Sequence, residues 1–175
     1  MEELKLLISE EEIKERVKAL ASQISADYRG REVVFIGILK GAFIFLADLV
    51  RAVDLPDVKI DFVRLASYGK SDTSSGEVQI TKDIELSIQG KDVIVVEDIV
   101  DTGYTLAYFR DVLKLHEPRS VRICCLIDKA ERREVEIEIH YCGFKIPKGF
   151  LVGYGLDFAE KYRHLPAIYE VVRKK

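Results

Sequence analysis

The chain lacks most features that assign a small protein quickly. Among 175 residues there are only three cysteines, Cys124, Cys125 and Cys142. They form no C-x-x-C pair, and the adjacent two sit in the apolar stretch Val121 to Ile127. Buried, inert thiols in a reducing compartment are therefore expected rather than a disulfide or zinc framework. There is no basic excess: 27 Lys and Arg against 30 Asp and Glu leave a formal net charge of −3, which argues against a nucleic-acid partner. No apolar run approaches membrane-spanning length, and Met1-Glu-Glu-Leu-Lys5 has neither the basic nor the apolar region of a signal peptide. The expected compartment is the cytoplasm, with no membrane partner. Neither G-x-x-x-x-G-K-[ST] nor G-x-G-x-x-G occurs, and there is no internal repeat, low-complexity tail or linker. What remains is an ordinary globular composition, 48% apolar and 33% charged, in a chain that fits one domain over residues 1–175.

Strand and helix signals alternate along it. Ser9 with Glu12 forms a capping box, and Ile13, Val17, Leu20, Ala21 and Ile24 recur at helical spacing, predicting a helix that ends near Gly30. Val33 to Leu39 reads as a buried strand and Ala42 to about Val53 as a helix, so Lys40-Gly41 sits on a strand-to-helix turn. Val58 to about Ala66 has strand character. The polar stretch Ser67 to Glu77 reads as a mobile loop. Val78 to Thr81 and Glu85 to Ile88 are strand-like, Leu106 to Leu115 is helical, and Val121 to Ile127 is a buried strand. Further strands are expected at Val135 to Tyr141 and within Phe150 to Asp157. The alternation implies an α/β fold: a twisted, mainly parallel sheet flanked by helices.

The richest segment is Val93-Ile-Val-Val-Glu97-Asp98-Ile-Val-Asp101-Thr-Gly103-Tyr-Thr105-Leu106. Four β-branched residues read as a strand buried on both faces, and three acids begin where that strand should emerge at the carboxyl edge, the ligand-binding edge of open α/β sheets. Thr102, Gly103, Tyr104 and Thr105 lead into a helix, where backbone N–H groups and hydroxyls can hold a phosphate. Carboxylates beside a phosphate need sugar hydroxyls or a divalent cation to face. Each acid alone is accounted for as a solvated turn or helix cap; three behind one buried strand point to a site. Asp101-Thr-Gly103 is also an aspartic protease triplet, but such enzymes pair two on an all-β scaffold, and it occurs once here.

This run resembles the phosphoribosyl pyrophosphate signature of the type I phosphoribosyltransferase family. Leu39-Lys40-Gly41, Ser67-Tyr68, Asp128-Lys129 and Phe150 to Asp157 through Tyr162-Arg163 follow in the order of its hypoxanthine-guanine branch. The resemblance covers roughly Leu39 to Arg163. It implies transfer of ribose 5-phosphate from phosphoribosyl pyrophosphate to N9 of hypoxanthine or guanine, with Mg2+ required. It implies that Glu97 and Asp98 serve the ribose hydroxyls and magnesium, that Asp101 is the general base at purine N7, and that Asp101 to Thr105 cradle the 5′-phosphate. Lys129 would meet the purine 6-oxo group, Phe150 would stack on the ring, the Leu151 backbone would read its edge, and Asp157 would bind a second magnesium beside the base. Lys40, Gly41 and Arg163 would hold pyrophosphate, Ser67 and Tyr68 would close over it, and the peptide before Lys40 would be cis. A small hood would come from the N-terminal segment and about residues 145–175.

Taken singly, Lys129 reads as a surface lysine, Phe150 as a core aromatic, Asp157 as a turn residue, Lys40-Gly41 as a tight turn and Arg163 as a salt-bridge partner of Glu160. Tyr104 departs from the family pattern, where lysine or arginine is frequent. A preference for xanthine, or a non-catalytic regulator that binds nucleic acid, are the alternatives; the acidic pI and the retained Asp101, Lys129 and Arg163 oppose the regulator. Helix 42–53, with Phe43, Ile44 and Phe45 in succession, has apolar surface on more than one face, which suits a homodimer or homotetramer.

Overall fold

The computed structural model describes residues 2–68 and 77–174; the side chains of Ser67, Tyr68 and Glu77 lie outside it, as does the stretch 69–76 read above as a closing loop. The elements are β1 (Glu2–Ile8), α1 (Glu10–Asp27), β2 (Glu32–Leu39), α2 (Phe43–Ala52), β3 (Asp57–Tyr68), β4 (Glu77–Lys82), β5 (Asp92–Val100), α3 (Tyr104–Lys114), β6 (Ser120–Asp128), β7 (Tyr141–Lys145), β8 (Leu151–Val152) and β9 (Ile168–Arg173). A six-stranded sheet runs β4-β3-β2-β5-β6-β7, parallel except for β4. A second, antiparallel sheet, β1-β9-β8, joins the two ends of the chain.

Alternation along the central strands separates two cores. Val33 and Phe35 of β2 and Ile94 and Val96 of β5 pack with α1 and α2. Val34, Ile36, Val93 and Val95 pack with α3 on the other face. Strands covered on both faces must be apolar at every position, which is why these runs do not alternate in polarity. The capping box is present: Glu12 N–H donates to Ser9 Oγ at 3.1 Å and Ser9 N–H to Glu12 Oε1 at 3.3 Å. From β2 the chain crosses to β3, and from β5 it crosses the opposite way to β6. The carboxyl ends of β2 and β5 therefore flank the switch point, where open α/β sheets leave a crevice.

Several expected boundaries move. Helix α1 ends at Asp27, not near Gly30, and α3 starts at Tyr104 rather than Leu106. Glu85 to Ile88 is not a strand. Instead the N–H groups of Glu85 and Leu86 donate to the buried Asp61 carboxylate at 2.7 and 2.9 Å, so a side chain replaces a ladder partner. Val135 to Tyr141 is irregular because its backbone is drawn toward the β5–α3 loop, and the strand begins only at Tyr141. The Phe150 to Asp157 strand shrinks to Leu151–Val152, since Gly153, Tyr154 and Gly155 all take positive φ. Strands β1 and β9 went unread, their long-range pairing leaving little mark in sequence. Cys124 and Cys125 are buried as expected, but Cys142 is only partly so, and the Cys125 side chain bonded to it lowers its pKa to about 7. Among the described residues no helix is long and apolar enough to cross a membrane.

Burial pushes the Asp61 carboxyl upward in pKa, but N–H donation from Leu86, Glu85 and Phe62 outweighs it and the net shift is downward from 3.8. A depressed carboxylate adds stability that is present above its unfolded pKa and lost as pH falls through the folded one. Asp61→Ala should lower stability at pH 7 by about 3 kcal/mol, because three donors lose their charged acceptor. Denaturant titrations of both proteins from pH 7 to pH 2 check this, the gap closing as pH falls below the usual carboxylate range.

Candidate functional site

Two of the three acids, Glu97 and Asp98, do not follow β5 but belong to it, while Asp101 lies just past its end. The strand continues through Glu97 and Asp98 to Val100, pairing with β6 as far as Val100 opposite Asp128. Glu97 is buried, and desolvation, with the Asp98 charge adding to it, holds its carboxyl well above the usual range. Asp98 N–H donates to Glu97 Oε1 at 3.0 Å and Ile99 N–H to Asp98 Oδ1 at 2.8 Å. Two carboxylates packed this closely at a sheet edge favour a cation or polyol between them and solvent. Among the described residues no group of three or more His, Cys, Asp or Glu encloses a metal. A divalent ion here would thus complete its shell from a ligand, which is how magnesium is held when one or two carboxylates act with phosphate oxygens.

Past β5 the chain turns into α3. The N-cap is Gly103, at φ 93, and no side chain caps the helix, so Asp101 is not the cap residue that the single-residue reading made it. Left-handed backbone at that point suits glycine, and the first-turn N–H groups stay open to an anion. A cavity of about 240 Å³ lies beside this turn, lined by Ile38, Leu65 and every residue from Glu97 to Leu106 except Tyr104. The Tyr104 hydroxyl bonds to Glu134 instead, leaving Thr102, Gly103 and Thr105 to face the space. Asp101 is 33% exposed; its Oδ1 is buried without a hydrogen-bond partner, and its Oδ2 lies 3.6 Å from Arg132. A larger cavity, about 550 Å³, lies beside β7 and is lined by Arg16, His140 and Lys145 among others; of the expected site residues it touches none.

The other expected residues arrive from neighbouring strand ends. The Leu39–Lys40 peptide is cis, as the resemblance implied. A Cβ on Gly41 would overlap the Asp98 carboxylate, and one on Gly155 would overlap the Gly41 carbonyl, so the Gly41 backbone is packed directly between the Asp98 side chain and the Gly155 backbone. Lys40 Nζ pairs with Glu160 at 3.2 Å. Arg163 donates to the Gly155 carbonyl at 2.7 Å and lies 3.3 Å from both Asp157 and Glu160. Asp157 also accepts from Glu160 N–H at 2.8 Å. Lys129 follows β6, its N–H bonded to Val100 O at 2.9 Å, and its ammonium has no ion-pair partner among the described residues. Phe150, read singly as core, is 48% exposed and meets Phe158 edge to face at 5.4 Å, which leaves ring surface for a ligand. Leu151 is buried in β8. Ser67 and Tyr68 end β3, with their side chains outside the described residues. Arg132 and Arg133 were missed: nothing in an Arg-Arg pair on a polar stretch signals that it folds back on Asp101.

The phosphoribosyl transferase domain model matches residues 8–159. The chain belongs to that family. Among relatives of this phosphoribosyl transferase domain, a hypoxanthine phosphoribosyltransferase of Salmonella typhimurium is 46% identical over 171 residues, covering 97% of this chain and 96% of its own. A hypoxanthine-guanine phosphoribosyltransferase of Aquifex aeolicus is 49% identical over 169 residues, covering 96% and 94%. The crystal structure of a Bacillus anthracis hypoxanthine-guanine phosphoribosyltransferase superposes with a TM-score of 0.92 at 49% identity, covering 99% of this chain and 100% of that one. The fold is that of type I phosphoribosyltransferases.

Because Gly41 has no room for a side chain, Gly41→Ala must displace either the Asp98 carboxylate or the β2–α2 turn. The substitution should cost about 1–3 kcal/mol as an overpacking change. A thermal or urea melt against wild type checks it.

Proposed function

We propose that this protein is a purine-salvage enzyme that transfers the 5-phosphoribosyl group of phosphoribosyl pyrophosphate to N9 of hypoxanthine or guanine, giving IMP or GMP and pyrophosphate. The observation that carries this reading is the cavity at the sheet's switch point, where the acids of β5 and the uncapped start of α3 face one space. Relatives named for hypoxanthine, 46% and more identical over nearly their whole length, support the choice of base.

In this reading the first-turn N–H groups and the hydroxyls of Thr102 and Thr105 bind the 5′-phosphate, while Tyr104 contributes its backbone. Glu97 and Asp98 face the ribose hydroxyls and would hold magnesium, which supplies charge neutralisation for the pyrophosphate. Lys40, the Gly41 backbone and Arg163 receive the pyrophosphate, Arg163 by exchanging its carboxylate neighbours for the ligand's oxygens. Ser67 and Tyr68 cover the site and exclude water from the reacting ribose. Lys129 donates to the 6-oxo group, Phe150 stacks on the purine, the Leu151 backbone reads its edge, and Asp157 serves a second magnesium. As the bond from C1′ to the pyrophosphate oxygen breaks and that from N9 to C1′ forms, the N7 proton passes to Asp101. Its partnerless Oδ1 is an acceptor suited to that proton. The single domain carries a hood formed by β1, β9, β8 and the turns between residues 145 and 168. Exposed Phe43 on α2 supports a homodimer or homotetramer.

Incubation with magnesium, phosphoribosyl pyrophosphate and hypoxanthine should yield IMP, and a chelator in excess should abolish the product until magnesium is restored. Absence of product with hypoxanthine, guanine and xanthine alike would overturn the assignment. Asp101→Asn should lower kcat by about 10²–10⁴-fold with a much smaller change in donor KM, the signature of a lost general base. Steady-state kinetics of the variant checks this, and an unchanged kcat would remove Asp101 from the role.

A further inference from the structure

We propose that Arg133 is a positioning residue for the transfer, holding the β5–α3 loop in the shape that binds the donor's 5′-phosphate; this rests on the transferase reading above. Its side chain is 19% exposed, and two of its three guanidinium nitrogens are held by partners. Nε donates to Asp101 O at 2.8 Å, and Nη2 donates to Val100 O at 3.2 Å and to the Asp128 carboxylate. The next two residues continue the clamp, Glu134 N–H and Val135 N–H reaching Thr102 O at 2.9 and 3.1 Å. Residues 133–135 thus take up the carbonyls of three successive residues, 100, 101 and 102. In a trans peptide the N–H lies opposite the C=O, so fixing these carbonyls turns the N–H groups of Asp101, Thr102 and Gly103 away from the clamp. The cavity is lined by Asp101, Thr102 and Gly103 and by none of residues 133–135, as that geometry requires.

Asp128 ends β6, and the Lys129 N–H is held independently by Val100 O, so the guanidinium anchors the donor loop to a strand end that is itself fixed by the sheet. A planar fork can meet two carbonyls and a carboxylate at once; an ammonium presents a point charge with no such fixed geometry. Room for the Arg133 stem depends on Gly103, where an added Cβ would lie 3.2 Å from Arg133 Cδ.

The test compares wild type with Arg133→Lys and Arg133→Ala, using ribose 5-phosphate binding by calorimetry and steady-state kinetics with both substrates. We expect ribose 5-phosphate affinity to fall at least tenfold in both variants, donor KM to rise in parallel, and hypoxanthine KM to change less than twofold. Arg133→Lys keeps the charge and most of the volume, so it tests the fork even where Arg133→Ala fails to fold. A folded Arg133→Lys with wild-type ribose 5-phosphate affinity, or with equal rises in both KM values, would overturn the proposal. Failure of the wild type to make any nucleotide would instead sink the transferase reading, a separate outcome.

Discussion

Everything at the carboxyl edge depends on one close approach. The Lys40–Gly41 turn lies against the Asp98 carboxylate on one side and against Gly155 on the other, with no space for a Cβ at either contact. Backbone packed directly on a carboxylate brings β2, β5 and the 153–163 turns together at the switch point, and the Lys40–Glu160 ion pair adds a tie between the β2–α2 turn and the 153–163 turns. Polar contacts at a surface are individually weak, so steric closeness rather than charge sets this arrangement.

The electrostatics follow from that packing. Glu97 is buried beside Asp98, desolvation and that neighbouring charge hold its carboxyl well above the usual range, and both acids line the cavity. Further along the chain, the open N-terminus of α3 offers partial positive charge. One crevice therefore holds an acid wall and an anion-binding floor, which suits a ligand that carries both a metal-bound, hydroxyl-rich part and a phosphate. Two arginines near it are held by protein partners, Arg133 by carbonyls and Asp128, Arg163 by Gly155, Asp157 and Glu160. They shape the site before any ligand arrives, in keeping with the general advantage of preorganised donors.

The parallel sheet and the turn from β5 into α3 were legible because each has a local cause. Val93 to Val96 must be apolar when buried on both faces, and Ser9 with Glu12 caps a helix within four residues of chain. Strands β1 and β9 were not legible, since Glu2–Ile8 is largely exposed and gains its strand character only by pairing with Ile168–Arg173 at the far end of the chain. Glu85–Ile88 misled for a related reason: its apolar pattern is real, but Asp61 captures the backbone donors that a ladder would use.

By itself the sequence determined the acid–threonine–glycine run and the strand that delivers it, because these follow from burial and turn geometry within a short span. Only the tertiary structure decided what surrounds that run. Arg133 folding back onto Val100, Asp101 and Asp128, Tyr104 turning out to Glu134, and Phe150 standing exposed against Phe158 each depend on segments that meet through the sheet rather than along the chain. Contacts of that kind leave no periodicity or spacing in sequence, since their free energy lies in the meeting of distant elements.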